Sequence, residues 1–497
     1  MNKKILRFLA IFTLFFSFSA CKKQLDTNLI NPNGVTSANI TGKDVFANAI
    51  QITSETITNS YAFANDWMGY WARTTPYSQS GNEQVENFAV LNTMGDVIWQ
   101  TQYHNLYDYN FVINNSSANS ILPGASLVLK SLIFQNLVDV FGNVPYKAAA
   151  NPDVSTQPAY DVDVDIYKGL IADINKAITS IKASKSTSDD VADIMFKGDK
   201  TKWIHFANTL KLRILMRLVP NGDQTFVKNS IADILAEGSG FLTQGENATI
   251  NAGYANVEGK QSPFWSVYGL EVAGGAYFGK VFNIANKTML DYLNATIDPR
   301  IGYLYDTTKG KLSGNYLGAV ATASPVASLA TIGPGILQSP SQSAIIMLAS
   351  QSFFLQAEAA QRTLISGDYS ALLKTGIEES FSYLKVPNAK SAADNYFDNS
   401  TDDRVNPKNA TDPIKTIIFQ KWVALAEVDG LESWAEYRRT GYPDRNKPSV
   451  STGVSAANNV LPKRLLYPQT ELLLNSKNVN SLNQPADGFK TKIFWGK

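Results

Sequence analysis

Trp67, Tyr70, Trp71 and Tyr77 fall within eleven residues, with Asn65, Arg73 and Gln79 set among them. Large rings beside amide and guanidinium groups can hold a ligand that has apolar C–H faces and a polar rim, such as a sugar ring. The rings stack on the faces and the polar side chains bond the hydroxyls. A second cluster, Ser262-Pro263-Phe264-Trp265-Ser266-Val267-Tyr268, offers the same chemistry. From these clusters the candidate binding residues are Trp67, Trp71, Tyr77, Arg73, Asn65, Trp265 and Tyr268. Trp67 and Trp71 are also four apart, the spacing of a buried helical stripe, so each ring has a core reading beside its binding reading.

Other chemistry finds little support. The chain has two histidines and one cysteine. His104 and His205 lie in no HExxH or HxH pattern, which predicts no metal and no histidine-based triad. Asp161, Asp163 and Asp165 resemble the start of a calcium loop, but its sixth position is Ile166 instead of glycine. Acidic charge at a helix N-terminus accounts for them better. No phosphate-cradling glycine loop or nucleophile elbow is present. Glu378 with Glu379 and Asp402 with Asp403 are adjacent pairs, and neighbours in sequence do not face one another on a helix. The favoured reading is therefore a binding protein with no cofactor; a glycoside hydrolase, which would need two carboxylates meeting across a cleft, is the less favoured alternative. The balance of 44 Lys+Arg against 43 Asp+Glu also excludes a general nucleic-acid binder.

The elements that must position these residues begin after a leader. Residues 1–20 read as a signal peptide: Lys3, Lys4 and Arg7 precede an apolar run from Phe8 to Phe18 that is too short to span a bilayer. Ser19, Ala20 and then Cys21, the only cysteine, resemble a bacterial lipobox, with Phe18 where that motif usually has leucine. Acylation would place Cys21 in the outer leaflet as a lipid anchor, and residues 21–40 would be its tether. Residues 41–497 are expected to form one domain.

Within that domain, apolar residues recur at helical spacing over 42–64, 93–115, 124–141, 162–182, 200–219, 225–237, 343–366, 368–384, 412–428 and 430–439. Gly142 and Pro220 stand where helices should stop. Successive helices of this length suggest stacked pairs, an all-α solenoid. Residues 238–340 differ. They carry 15 of the 32 glycines, keep helical periodicity only near 283–296, and include Tyr254, Trp265, Tyr268 and Tyr277. A loop-rich insertion with so many rings is expected to be ordered and functional.

Four segments then resemble the SusD/RagB family of nutrient-binding outer-membrane lipoproteins. Leu137 to Tyr146 is similar to the family's helix end and aromatic-Gly-Asp-Val-Pro turn, with Asn143 in place of Asp. Phe353 to Ala359 resembles its L-x-A-E-A helix. Gln420-Lys421-Trp422 followed by Glu432-Ser433-Trp434-Ala435-Glu436-Tyr437-Arg438-Arg439-Thr440-Gly441-Tyr442-Pro443 resembles its E-K-W … E-x-W-x-E-x-R-R-T-G-Y-P block, with Gln420 in place of Glu. Pro462 to Pro468, with Glu471 and Asn475, resembles its closing element. The resemblance implies a right-handed solenoid of tetratricopeptide-like helix pairs, with the ligand site on the loop-rich insertion. It implies an outer-membrane, surface-exposed protein that captures oligosaccharide, or in some relatives peptide, without catalysis. The partner it implies is a TonB-dependent transporter barrel (SusC-like). The motif residues Trp422, Trp434, Arg438, Arg439 and Arg464 are expected to hold the scaffold together.

Overall fold

The computed structural model describes residues 40–74, 83–151, 155–310, 313–319, 328–444, 449–451, 460–484 and 487–497. The chain divides into residues 1–41 and the body Gly42–Lys497, and every element below belongs to the body.

The main helices are α1 (Gly42–Glu55), α2 (Ala62–Trp67), α3 (Asp96–Asn115), α4 (Leu122–Phe141), α5 (Asp163–Ala183), α6 (Lys200–Leu218), α7 (Gln224–Glu237), α8 (Lys287–Ala295), α9 (Ala349–Gln361), α10 (Tyr369–Tyr383), α11 (Ala389–Asp398), α12 (Pro413–Ala424) and α13 (Gly430–Thr440). Their ends follow from local chemistry. Asp199, Asp223, Asp368, Asp412 and Asp429 each accept a backbone N–H of the first turn that follows, which satisfies a donor that the helix leaves orphaned. Gly142, Gly238 and Gly441 close α4, α7 and α13 with positive φ, where a side chain would strain.

Neighbours in sequence pack as neighbours in space: α1 on α3, α3 on α4, α4 on α5, α5 on α6 and α6 on α7. A second run stacks α9 on α10 and α10 on α11, with α12 against α9 and α10, and α6 meets α9 where the two runs join. Helix α4 is long and apolar enough to cross a membrane, yet 89% of its apolar window lies inside the protein. It is the central helix of the first run, hydrophobic all round because it is covered all round.

Two helix expectations need correction. The predicted helix over 42–64 is interrupted: a five-residue π-helical turn, Thr56–Ser60, separates α1 from α2. The predicted helix over 343–366 begins instead as a strand, Ala344–Met347, before α9 starts at Ala349. The β-branched pair Ile345 and Ile346 suits a strand, and the partner strand supplies the backbone bonds. Helix α11 went unread because only Ala393, Tyr396 and Phe397 of its ten residues are buried.

Residues 238–340 are built from short helical turns and two-stranded ribbons. Strand β1 (Trp71–Arg73) pairs antiparallel with β3 (Asn283–Ala285), β2 (Ala248–Ile250) with β6 (Ala344–Met347), and β4 (Tyr305–Asp306) with β5 (Thr331–Ile332). Two of the three ribbons thus tie the insertion to segments outside it. Ala72, Ile284 and Leu329 close a small apolar cluster under the first ribbon.

The helical core is held by buried charge as well as by apolar packing. Arg439 of α13 donates to both oxygens of Glu358 in α9, at 2.7 and 2.6 Å, and also pairs with Glu436. The guanidinium holds the Glu358 carboxyl down at about 2. Lys421 of α12 reaches Glu432 at 2.6 Å, and Arg217 of α6 bridges Glu432 and Asp139, the latter at 3.1 Å. Arg438 donates to the carbonyls of Asp139 and Lys463 at the end of α4 and in the closing segment, while its guanidinium lies 3.5 Å over the Trp434 ring. Arg464 donates to the Leu465 carbonyl. The indole N–H groups of Trp422 and Trp434 bond the Met68 and Pro462 carbonyls. These motif residues sit in the scaffold, as the resemblance implied.

Candidate functional site

The first aromatic cluster is packed into the body rather than displayed on it. Trp67, the last residue of α2, is fully buried. Its ring meets Phe63, Phe88 and Trp434 edge-on at 4.8, 6.0 and 5.1 Å, and its indole N–H is spent on the Val85 carbonyl. Asn65 is buried against Gly430, where a β-carbon would come within 2.6 Å of the Asn65 Oδ1. Trp71 on β1 is also buried, its ring 4.8 Å from Tyr268. Arg73, two residues along the strand, bonds Asp66 at 2.7 Å and lies 4.5 Å over the Phe282 ring. Burial lifts the Asp66 carboxyl to about 7, against the pull of Arg73. Tyr77 and Cys21 lie outside the described residues. Trp67, Trp71 and Asn65 therefore present no face to a ligand in this structure. The four-residue spacing of the two tryptophans marked a buried stripe that continues into a strand.

The second cluster lies closer to the surface. Residues 262–268 form a short turn of helix ending in Trp265–Tyr268. Tyr268 is buried beneath this turn, tilted against Phe264 at 4.7 Å and against Trp71 on its far side. Trp265 is half-buried and its indole N–H donates to the Leu270 carbonyl at 2.9 Å. The layers run inward from Pro263 and Ser266, through Phe264 and Tyr268, to Trp71. Of the sequence candidates, the structure brings Trp71 and Tyr268 into contact, and Trp265 shares the short helical turn of Tyr268.

Pro263 and Ser266 of this turn border a cleft of about 560 Å³, which none of the sequence candidates among the described residues lines. Gln51, Glu55 and Asn59 line one side; Tyr254, Lys260, Gln261, Pro263, Ser266 and Tyr277 line the other, with Ala252, Gly253 and Gly259 at the turns. The π-helical turn brings Asn59 round to the cleft, where its amide N–H meets the Pro263 carbonyl at 3.4 Å and its Oδ1 has no protein partner. An extra backbone residue per turn often marks a functional position in a helix. Tyr277 donates its hydroxyl to Gln261 Oε1 at 2.7 Å, and Gln261 in turn donates to Asn256 and to the Leu270 carbonyl. Asn251 accepts the backbone N–H groups of Gly253 and Tyr254, which fixes the turn that presents the Tyr254 ring; Gly253 takes φ +86° there. Two half-buried tyrosine rings flanked by amides, a lysine and a carboxylate suit a neutral, hydroxyl-rich ligand.

The cleft residues on the insertion side were signalled by glycine density and by the rings of Tyr254 and Tyr277. Those on the helix side were not. Gln51, Glu55 and Asn59 read as one exposed face of an ordinary helix, and nothing local marks the π-helical turn.

Stacked helix pairs holding a polar, aromatic-lined cleft define a ligand-binding scaffold. The profile of the SusD-like family, described as starch-binding and associating with the outer membrane, matches residues 32–468, and the chain belongs to that family. Its fold is the SusD-like fold of tetratricopeptide-like helical repeats. Among solved structures, a chitin-binding SusD homologue from Flavobacterium johnsoniae is 24% identical with a TM-score of 0.73, over 91% of this chain and 98% of that one. A SusD-like protein from Bacteroides thetaiotaomicron is 20% identical with a TM-score of 0.75, over 92% and 98%. A SusD homologue from Bacteroides uniformis is 21% identical with a TM-score of 0.71, over 91% and 99%. No curated protein matches the chain.

Proposed function

We propose that this protein captures oligosaccharides at the outer surface of the cell, in the cleft between α1, the π-helical turn and the insertion. It then passes them, chemically unchanged, to a TonB-dependent transporter barrel of the SusC-like type. Membership of a family described as starch-binding supports the ligand class, and the observation that carries the site is the pairing of Tyr254 and Tyr277 with Gln51, Asn59, Gln261 and Lys260 around one cleft. Rings provide faces for the C–H surfaces of a sugar, and amides bond the hydroxyls in place of water. Acylated Cys21 would hold the scaffold beside the barrel, and tethering raises the effective concentration of captured ligand at the barrel mouth.

Affinity electrophoresis of the soluble form, residues 22–497, against a panel of polysaccharides tests this reading, with a peptide pool measured by calorimetry alongside. Retardation by a glycan that is lost in Tyr254→Ala and Tyr277→Ala is the expected result. Heat with peptides and no retardation by any glycan would overturn it.

A further inference from the structure

A second, smaller cavity adjoins the cleft. It shares a wall with it: Asn59 and Pro263 line the cleft, and their chain neighbours Thr58 and Phe264 line the cavity. Its volume is about 30 Å³, the room of one water-sized group rather than a sugar ring. Gln342 and Ser343 at its edge are half-buried, so it opens toward solvent.

Glu427 lies at its base. This residue sits in the link between α12 and α13 with φ +66°, a left-handed conformation rare for a residue with a long side chain. It is 3% exposed, and neither carboxyl oxygen closes a regular hydrogen bond with the protein. A buried acid with only the Trp71 indole near enough to favour its charge is costly to keep ionised. The titratable groups that sense it are phenols: Tyr268 of the aromatic turn, Tyr305 of β4 and Tyr383 of α10. The indole of Trp71 is the group that most favours its ionised form. No lysine or arginine among the described residues balances it. Burial holds the carboxyl up at about 8, so it is neutral at physiological pH while the cavity is empty.

We propose that this cavity is a subsite for a primary ammonium group, seated on the Glu427 carboxylate between the rings of Phe264 and Tyr383. The ammonium supplies the counter-charge that an ionised Glu427 needs, beside two aromatic rings that line the cavity. Its size matches the space, whereas a neutral hydroxyl would leave Glu427 protonated. Glu427 enters as the neutral acid; on binding, its proton leaves to solvent and the carboxylate pairs with the ammonium. The nutrient-capture reading is deepened by this, because ligands carrying free amines would be favoured over their neutral counterparts, and for sugar ligands the inference rests on that reading. An ammonium could come from an amino sugar or from a lysine side chain.

Calorimetry at about pH 6, in two buffers that differ in heat of ionisation, separates the cases. The probes are the glucosamine trimer, the N-acetylglucosamine trimer and Nα-acetyl-lysine amide, run on the soluble mature chain and on Glu427→Gln. The expected result is that an ammonium probe binds with release of about one proton. For the sugars, the glucosamine trimer should bind about tenfold tighter than its acetylated form. Glu427→Gln should lose both the proton release and the preference while still binding the acetylated trimer as the parent does. Binding of the lysine probe with proton release, and of neither trimer, would keep the ammonium site and remove the glycan reading. Equal binding of both trimers with no proton release would keep the glycan reading and overturn the ammonium site, as would unchanged behaviour of Glu427→Gln.

Discussion

The helical runs and the ribbon-built insertion solve the same problem with different means. Where α6, α9, α12 and α13 meet, Arg217, Lys421, Arg439, Glu358, Glu432 and Glu436 are buried and paired across helices. Each charge has a partner of opposite sign, so the junction has one arrangement and little slack. Around the cleft, shape comes instead from turns, from amide-to-carbonyl bonds such as Gln261 to Leu270, and from rings tilted on rings. Nearby carboxyls are poorly compensated: Asp66, with Arg73 as its single ion-pair partner among the described residues, is lifted to about 7, and Glu427 to about 8. The residues with the most distinctive sequence signature serve the first region. The residues placed to meet a ligand belong to the second and carry almost no signature.

Breaking the paired junction should have the largest effect. Arg439→Ala removes the bidentate partner of Glu358, leaving it Arg362 and leaving Glu436 only Lys421, and should cost about 3–5 kcal/mol, read as a fall in the denaturation midpoint, with binding per folded molecule unchanged. Trp67→Ala should behave alike, because it opens a hole beside Phe63, Phe88 and Trp434; the loss expected of a buried tryptophan is about 3–5 kcal/mol. Any selective loss of ligand binding in Trp67→Ala would blur the line drawn here between scaffold and cleft. Tyr277→Ala should do the reverse: glycan affinity falls by about tenfold and the melting temperature holds.

The smallest effect concerns pH. In the folded protein Glu427 keeps a proton up to about pH 8, whereas its ordinary value is 4.5. The folded state therefore binds more protons than the unfolded chain between those values. Stability falls as pH rises through that window and stays lower above it. Glu427→Gln removes this contribution. Its melting temperature should match the parent at about pH 4 and exceed it by about 2–4 °C at about pH 9. The slope due to Asp66 should remain in both.

Much of the helical architecture was legible in the sequence because amphipathic spacing and capping residues are local signals. Asp199, Asp223 and Gly142 mark ends that backbone chemistry requires wherever they occur. The strand at Ala344–Met347 was not legible, since its apolar run differs from a helix only in having a partner at Ala248–Ile250, about a hundred residues away. The same reason hid the cleft. Asn59 becomes a lining residue only because a π-helical turn rotates it toward Pro263, more than two hundred residues along. Trp67 and Trp71 show the converse: ring-rich composition announced an aromatic site, but burial depends on what arrives from elsewhere, here Trp434 and Tyr268. Trp265 and Tyr268 lie on the turn whose Pro263 and Ser266 border the cleft, but they do not line it themselves.

The bonds that join the two ends of the chain bear on how the protein is made. Tyr70 donates to the carbonyl of Trp422, the Trp422 indole donates to Met68, and Trp67 packs on Trp434. The segment carrying Trp67 to Arg73 is made more than 350 residues before the helices that cover it. Until α12 and α13 follow, that aromatic stretch lacks its cover and is open to aggregation. A chain that ends before α12 would fail to fold rather than bind weakly.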